Sequence, residues 1–202
     1  MSIQLERADY SIIADWVKPD SSVLDLGCGD GTLMAYLQQQ KQVRGFGLEI
    51  DDDDITSSIQ NGINVIHMDL NEGLSEFEDN SFDHVILSLT LQAMQCPDLL
   101  LSEMLRVGTE GIVTFPNFGN WRGRIQLALG GRMPVTKTLP NTWYNTPNIH
   151  LCTIQDFENL CHQLGFQILE RRAVDQDHES GLGLRMLPNL LAQIALYRFR
   201  RA

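Results

Sequence analysis

Three alternating glycines, Gly27, Gly29 and Gly31, lie between a short apolar run and a helix-like stretch. The apolar run at 22–26 has the length of a buried strand, and residues 32–40 carry apolar side chains at helical spacing. Glycines at such a junction let the backbone turn sharply and approach a ligand closely, because they have no Cβ atom. The helix that follows would present free N–H groups to a carboxylate or phosphate. This order predicts an α/β protein built on a parallel sheet.

The alternation of short apolar runs and helical stretches continues as far as residue 116, then resumes after residue 152. Further strands are predicted at 43–49, 62–67, 82–87, 110–115, 166–174 and 194–200, and helices at 51–59, 97–107 and 153–164. We expect a doubly wound, Rossmann-like, mostly parallel seven-stranded sheet in a single domain, 1–202. Residues 117–152 form an insertion after the fifth strand, and long insertions of this kind are usually functional.

Charge is distributed unevenly along the chain. The net charge is −11 overall, but residues 1–110 carry −15, whereas residues 111–155 carry +4 and contain no Asp or Glu. An acidic body repels phosphates, so neither nucleic acid nor an anionic membrane is an expected partner. No apolar run is long enough to span a bilayer, and the first residues lack a secretory signal's apolar segment. Four cysteines without a C-x-x-C pair indicate reduced thiols, no metal site and a cytoplasmic location.

The glycine spacing and two acids indicate the kind of nucleotide bound. Glu49 ends the next predicted strand, at the position where an acid accepts both hydroxyls of a ribose. Asp25 precedes the glycines, and Thr32 stands where a dinucleotide motif has its last glycine. An acid at position 25 would repel a pyrophosphate but can hold an ammonium group. The pattern therefore favours a ligand with an amino acid and a ribose over a nicotinamide cofactor.

The segment from Asp25 to Gly31 resembles motif I of the class I S-adenosylmethionine-dependent methyltransferases, E/D-x-G-x-G-x-G. The resemblance implies S-adenosylmethionine or S-adenosylhomocysteine as the cofactor. It also implies that Asp69 faces the adenine amino group and that the chain passes the methionyl end near Ser88. The resulting cofactor-binding candidates are Asp25, Gly27, Cys28, Gly29, Gly31, Glu49, Ile50, Asp69, Leu70 and Ser88. The Cys28 side chain is interpreted as a small filler within the loop.

The catalytic half of a methyltransferase site is much less defined. Where amide-nitrogen methyltransferases carry N/D-P-P-Y/F, residues 88–94 read SLTLQAM, and Gln92 stands where many small-molecule relatives have a histidine. His150 is the remaining candidate base, although a surface or packed histidine is the commoner role. His67 and His84 lie in predicted strands and are expected to be packed.

The insertion at 117–152, which we call the basic insertion, is rich in residue types that dominate protein interfaces. Its candidate substrate or partner residues are Trp121, Arg122, Arg124, Arg132, Trp143 and Tyr144. The arginines could hold an anionic small substrate, or the surface could dock an acidic partner protein. A third interpretation is a lid whose aromatic side chains pack onto the core. The sequence does not decide among them.

A second, more specific resemblance covers nearly the whole chain. It rests on the glycine loop and on GLEID at 47–51, DLNEG at 69–73, LQAM at 91–94, FPNF at 115–118, GGRMP at 130–134 and WYNTPNIHLC at 143–152. Together these motifs resemble the MetW family of methionine biosynthesis. MetW-like proteins occur in bacteria beside MetX, a homoserine O-acyltransferase, and are implicated in making that enzyme active. The resemblance therefore implies a cofactor-binding subunit of that acyltransferase; the alternative is a methyltransferase acting on a small anionic metabolite.

Overall fold

One seven-stranded sheet forms the centre of the computed structural model, which describes residues 7–175 and 182–202. Its strands are β1 (Ser22–Leu26), β2 (Arg44–Glu49), β3 (Val65–His67), β4 (Phe82–Ser88), β5 (Gly108–Pro116), β6 (Phe166–Val174) and β7 (Ile194–Arg201). They lie in the order β3-β2-β1-β4-β5-β7-β6, parallel except for β7, which is antiparallel to both of its neighbours. The prediction of a doubly wound, mostly parallel seven-stranded sheet is confirmed.

Helices connect the strands and cover the sheet. They are α1 (Ala8–Trp16), α2 (Thr32–Lys41), α3 (Asp52–Gln60), α4 (Pro97–Val107), α5 (Trp121–Gly130), α6 (Ile154–Gln163), α7 (Leu182–Met186) and α8 (Pro188–Leu191). The predicted helices correspond to α2, α3, α4 and α6, whereas α1, α5, α7 and α8 were not anticipated. Among the described residues, no helix is both long and apolar enough to cross a membrane.

Apolar side chains are buried on both faces of the sheet. Leu24 belongs to a core cluster with Leu101 of α4 and Phe157 of α6, whereas the adjacent Val23 packs with residues of α1 and α2. Successive side chains of a strand point to opposite faces, so a strand covered on both sides needs apolar residues at consecutive positions. This requirement explains why the central strands carry apolar residues at consecutive positions, as in 23–24 of β1 and 85–87 of β4.

The two histidines expected to be packed differ. His84 is fully buried in the centre of β4, as predicted. His67 is not packed: its side chain is 61% exposed, because it ends the three-residue edge strand β3. The prediction for His67 was therefore wrong.

Candidate functional site

The carboxyl ends of β1, β2 and β4 meet at one edge of the sheet, where ligands of open α/β folds bind. The glycine loop after β1 turns there with positive φ angles of 67°, 56° and 75° at Gly27, Gly29 and Gly31. A Cβ atom at Gly27 would lie 2.8 Å from the Thr90 hydroxyl, but one at Gly29 would meet nothing within 4 Å. The loop is therefore open to a ligand at Gly29.

The Glu49 carboxylate is fixed against this loop. Its Oε2 accepts a hydrogen bond of 2.8 Å from the Gly29 N–H, and its Oε1 accepts from the N–H groups of Ile50 and Asp51 at 2.8 and 3.1 Å. Glu49 is 8% exposed. Three of the carboxylate's four or so acceptor positions are thus used, and the one that remains, on Oε2, can accept a hydroxyl.

Asp25 has a buried carboxylate oxygen without a hydrogen-bond partner. The residue is 2% exposed, and its Oδ1 has no donor among the described residues. Burial raises the pKa of Asp25 to about 7, Arg7 acts against this rise and Glu49 adds to it. A buried acceptor without a partner costs free energy, so a donor or cation brought by a ligand would be favourable here.

Arg7, at the start of α1, lies at this edge of the sheet and was not predicted from the sequence. Its guanidinium forms an ion pair with Asp9 and donates to the Tyr10 hydroxyl at 2.8 Å and to Ser88 Oγ at 2.9 Å. Ser88 Oγ also lies 3.2 Å from Thr114 Oγ1. The structure thus brings the Arg7 cation together with three hydroxyls, those of Tyr10, Ser88 and Thr114.

N–H groups of the glycine loop and of the first residue of α2 are already occupied. The Thr32 N–H donates to Asp30 Oδ1 at 3.0 Å, the Gly31 N–H donates to the Cys28 carbonyl at 3.1 Å, and the Gly29 N–H is held by Glu49. The expectation of free N–H groups at the start of the helix was therefore wrong for Thr32, whose N–H is held by Asp30.

Cys28 is the filler that the sequence suggested. Its side chain is buried, and Sγ lies 3.8 Å from Ser58 Oγ and only 2.3 Å from where a Cβ at Gly47 would be. Burial raises the pKa of Cys28 to about 12, so its thiol stays protonated and is not a nucleophile. Only the backbone of Cys28 is available to shape the loop.

The remaining cofactor candidates extend the edge beyond β2. Asp69 follows β3 and accepts from the Asn71 N–H at 2.9 Å, which starts the short 3-10 helix Leu70–Glu72. Leu70 is buried in the core, whereas Ile50 is 55% exposed. Since Glu49 pairs with His67 in the sheet, Asp69 lies one strand away from Glu49.

The basic insertion is anchored at its base by two buried asparagines. Asn117 donates to the carbonyls of Asn189 and Ala192 at 3.0 and 2.9 Å, and Asn120 donates to those of Leu191 and Ala192 at 3.0 and 3.1 Å. Asn120 also caps α5, because its side chain accepts from the Arg122 N–H.

Beyond this base the aromatic side chains of the basic insertion do not pack onto the core. Trp143 and Tyr144 are 75% and 72% exposed, with their rings perpendicular and 5.7 Å apart, and Trp121 is 41% exposed. On α5 only Gly123 is buried. The structure therefore contradicts the interpretation of 117–152 as a lid packed onto the core.

The three candidate arginines of the insertion are all exposed but do not share a location. Arg122 lies over the Trp121 ring at 5.5 Å, Arg124 donates to the Gly119 carbonyl at 2.6 Å, and Arg132 lies beside Trp143 in a separate concavity. The three guanidinium groups therefore do not converge on one point, as they would have to in order to hold a single anionic substrate.

The structure does not strengthen the case for a catalytic base. His150 is exposed, its Nε2 lies 3.2 Å from the Gln95 carbonyl, and its backbone N–H donates to Gln92. Gln92 is buried and donates to the Pro116 carbonyl at 2.9 Å, so it supports the chain after β5. Within the described residues no group of three His, Cys, Asp or Glu side chains could hold a metal.

Comparisons with known proteins agree with this architecture. The family model described as methionine biosynthesis protein MetW matches residues 7–199. The bifunctional methionine biosynthesis protein MetXA/MetW of Rhodopirellula baltica is 38% identical over 204 residues, which cover 96% of this chain and 33% of that relative. The chain thus spans a third of the length of this relative.

Solved structures share the fold at low sequence identity. An S-adenosylmethionine-dependent methyltransferase from Mesorhizobium loti superposes with a TM-score of 0.71 at 16% identity, covering 97% of this chain and 99% of that one. The [4+2]-cyclase SpnF superposes with a TM-score of 0.67 at 18% identity, covering 95% and 80%. One fold thus occurs in proteins with different named activities, so function must be argued from the site.

Proposed function

Because this chain belongs to the MetW family of methionine biosynthesis proteins, we propose that it binds S-adenosylmethionine or S-adenosylhomocysteine and activates a homoserine O-acyltransferase. The cofactor would occupy the edge formed by the glycine loop, and the acyltransferase would dock on the basic insertion. The observation that carries the docking proposal is the exposure of Trp143 and Tyr144 on a segment that contains no Asp or Glu. The name MetXA/MetW of the R. baltica relative supports a link between the two functions.

The residues at the sheet edge fit this cofactor. Glu49 would accept from the ribose hydroxyls at the acceptor position left on Oε2, and Asp69 would face the adenine amino group. The unpaired Oδ1 of Asp25 would accept the ammonium group, and Arg7 would pair with the carboxylate. When bound, the cofactor supplies a sulfonium methyl group. Methyl transfer itself would also need residues that position a methyl-accepting substrate, and no described residue is assigned to that task.

Replacing Glu49 with alanine should weaken S-adenosylhomocysteine binding by ~1–3 kcal/mol, because charge-assisted hydrogen bonds to the ribose are lost. Isothermal titration calorimetry would measure the change. Asp52→Ala is the matched control. It also removes one negative charge, but Asp52 lies three residues after Glu49 and its side chain is exposed. Equal affinities of the Glu49→Ala variant and the parent protein would refute the ribose assignment.

The docking proposal rests on side chains that have little other role in the structure. Exposed tryptophan and tyrosine contribute strongly to protein interfaces when a partner buries them. Trp143 and Tyr144 contact each other, and the surrounding segment carries a positive charge. An acidic surface on the acyltransferase would complement it and speed association.

The double variant Trp143→Ala/Tyr144→Ala should bind the acyltransferase at least about tenfold more weakly while keeping its affinity for S-adenosylhomocysteine. Co-elution in size-exclusion chromatography and calorimetry would measure both properties. Ile59→Ala/Leu99→Ala is the control, because those side chains are 61% and 63% exposed outside the basic insertion. Undiminished binding by the first variant would rule out docking through this aromatic pair.

A further inference from the structure

A cavity of about 180 Å³ lies between α5, the loop that follows it and the residue before β7. Its polar side chains include Arg122, Gln126, Thr136, Lys137, Thr138 and Gln193. None of the cofactor candidates, and neither Trp143 nor Tyr144, lines it. The cavity is therefore distinct both from the edge proposed for the cofactor and from the aromatic pair proposed for docking.

Several of the polar groups around the cavity are already satisfied by the chain. The Gln126 side chain accepts from the Val135 N–H at 3.0 Å, and Thr136 Oγ1 accepts from the Leu139 N–H at 3.1 Å. Asn117, which also lines the cavity, uses its side-chain amide on backbone groups. These groups hold the walls in place and are not free to recognise a ligand.

Three polar groups remain. Gln193 is 7% exposed, and its Oε1 is a buried acceptor with no donor among the described residues. Arg122 and Lys137 are exposed cations, and neither has an ion-pair partner within residues 7–175 and 182–202. No Asp or Glu occurs between residues 111 and 155. The residues that line the cavity thus include two cations and one side chain with an unmet acceptor.

We propose that this cavity binds a small carboxylate that carries an ammonium or hydroxyl group next to the carboxyl carbon. The carboxylate pairs with Arg122 and Lys137, because guanidinium and ammonium groups form strong charge-assisted hydrogen bonds with it. The adjacent donor satisfies Gln193 Oε1, which otherwise carries the cost of a buried unpaired acceptor. Amino acids and α-hydroxy acids share this chemistry and are small enough for the cavity. The inference is independent of the proposed function.

The test is a binding screen on the full chain with defined probes. The protein L-amino acids, L-lactate and L-malate are each added at about 10 mM, and thermal unfolding and calorimetry report binding. The compound that binds best is then compared with its amide, which lacks the carboxylate, and with its analogue lacking the ammonium or hydroxyl group. We expect both analogues to bind at least about tenfold more weakly.

Substitutions in the chain test whether the best probe binds in this cavity. Arg122→Gln and Gln193→Met should each weaken the best probe at least about tenfold, and Gln193→Met should abolish the preference for the donor-bearing probe. Arg132→Gln is the matched control, because Arg132 carries the same charge but does not line this cavity. If Arg122→Gln does not fold by circular dichroism, Lys137→Gln takes its place. The proposal is overturned if no probe binds at about 10 mM, or if the Arg132→Gln variant loses as much affinity as the cavity variants.

Discussion

Replacing Asp25 with asparagine is expected to stabilise the ligand-free protein while weakening the binding of S-adenosylmethionine. Burial raises the pKa of Asp25 to about 7, so above that pH the folded state holds an unpaired buried charge that the unfolded state exposes to water. Asparagine removes this charge, and linkage sets an upper limit of about 4 kcal/mol on the stability gained near pH 8. Affinity should fall because the ligand ammonium group loses its carboxylate partner.

The pH dependence distinguishes this explanation from a simple packing effect. Because the folded pKa lies above the unfolded value of 3.8, the folded state binds the extra proton between about pH 4 and 7. The wild-type penalty therefore grows as pH rises through that range, and the stability gained by Asp25→Asn should shrink as pH falls toward 4. Urea unfolding of both proteins at several pH values measures this difference in stability. A variant as stable as wild type, or less so, near pH 8 would contradict the account.

Asp83→Asn is the matched control for this experiment. Asp83 accepts hydrogen bonds from the Ser22 N–H and hydroxyl at 2.8 Å, and the first of these bonds contributes most to lowering its pKa. A lowered folded pKa means that the carboxylate stabilises the protein at neutral pH, so this replacement should give no gain there. The opposite signs at two aspartates would show that burial without a partner, and not negative charge alone, makes Asp25 costly.

Gly45→Ala should destabilise the fold by more than ~3 kcal/mol, the second large effect that we expect. A Cβ at Gly45 would lie 1.8 Å from the Val23 carbonyl oxygen of the neighbouring strand, and the residue has a φ of +152°. The backbones of β1 and β2 would have to separate at the start of their pairing. The midpoint and slope of urea unfolding measure the loss.

Gly62→Ala separates this contact from the general effect of removing a glycine. Gly62 also has a positive φ, +80°, but a Cβ there would meet nothing within 4 Å. Only the backbone conformation would be disfavoured, at a cost of about 1 kcal/mol. If both variants unfold at the same urea concentration, the close approach of Gly45 to Val23 does not determine the stability of this sheet.

The strands could be predicted from the sequence because each central one is buried on both faces and therefore has apolar residues at consecutive positions. α5 could not be found in this way, since only Gly123 of its ten residues is buried and no apolar periodicity results. Its ends do carry local signals: Asn120 caps the first turn, and Gly131 closes the last with a φ of +58°. Those two residues are the signal that was available for this helix.

The candidate site could be predicted only where it is local in sequence. The glycine loop and Glu49 follow directly from the ends of two consecutive strands. Arg7 lies 18 residues before Asp25 and reaches the site because α1 packs against the sheet. No motif with a fixed residue spacing predicts that contact. Gln193 is similar, since it reaches its cavity through the pairing of β7 with β5. Both contacts depend on tertiary packing that a local pattern does not contain.

We propose that this chain activates a homoserine O-acyltransferase in response to a cofactor bound at the sheet edge. The most direct measurement is the rate of homoserine O-acylation by the cognate acyltransferase, alone and with this chain, each with and without S-adenosylmethionine. We predict a higher rate when the chain is present, no increase with the Trp143→Ala/Tyr144→Ala variant, and a cofactor response that Glu49→Ala removes. A rate that is the same with and without the chain would contradict the claim and favour a methyltransferase acting on a small anionic metabolite.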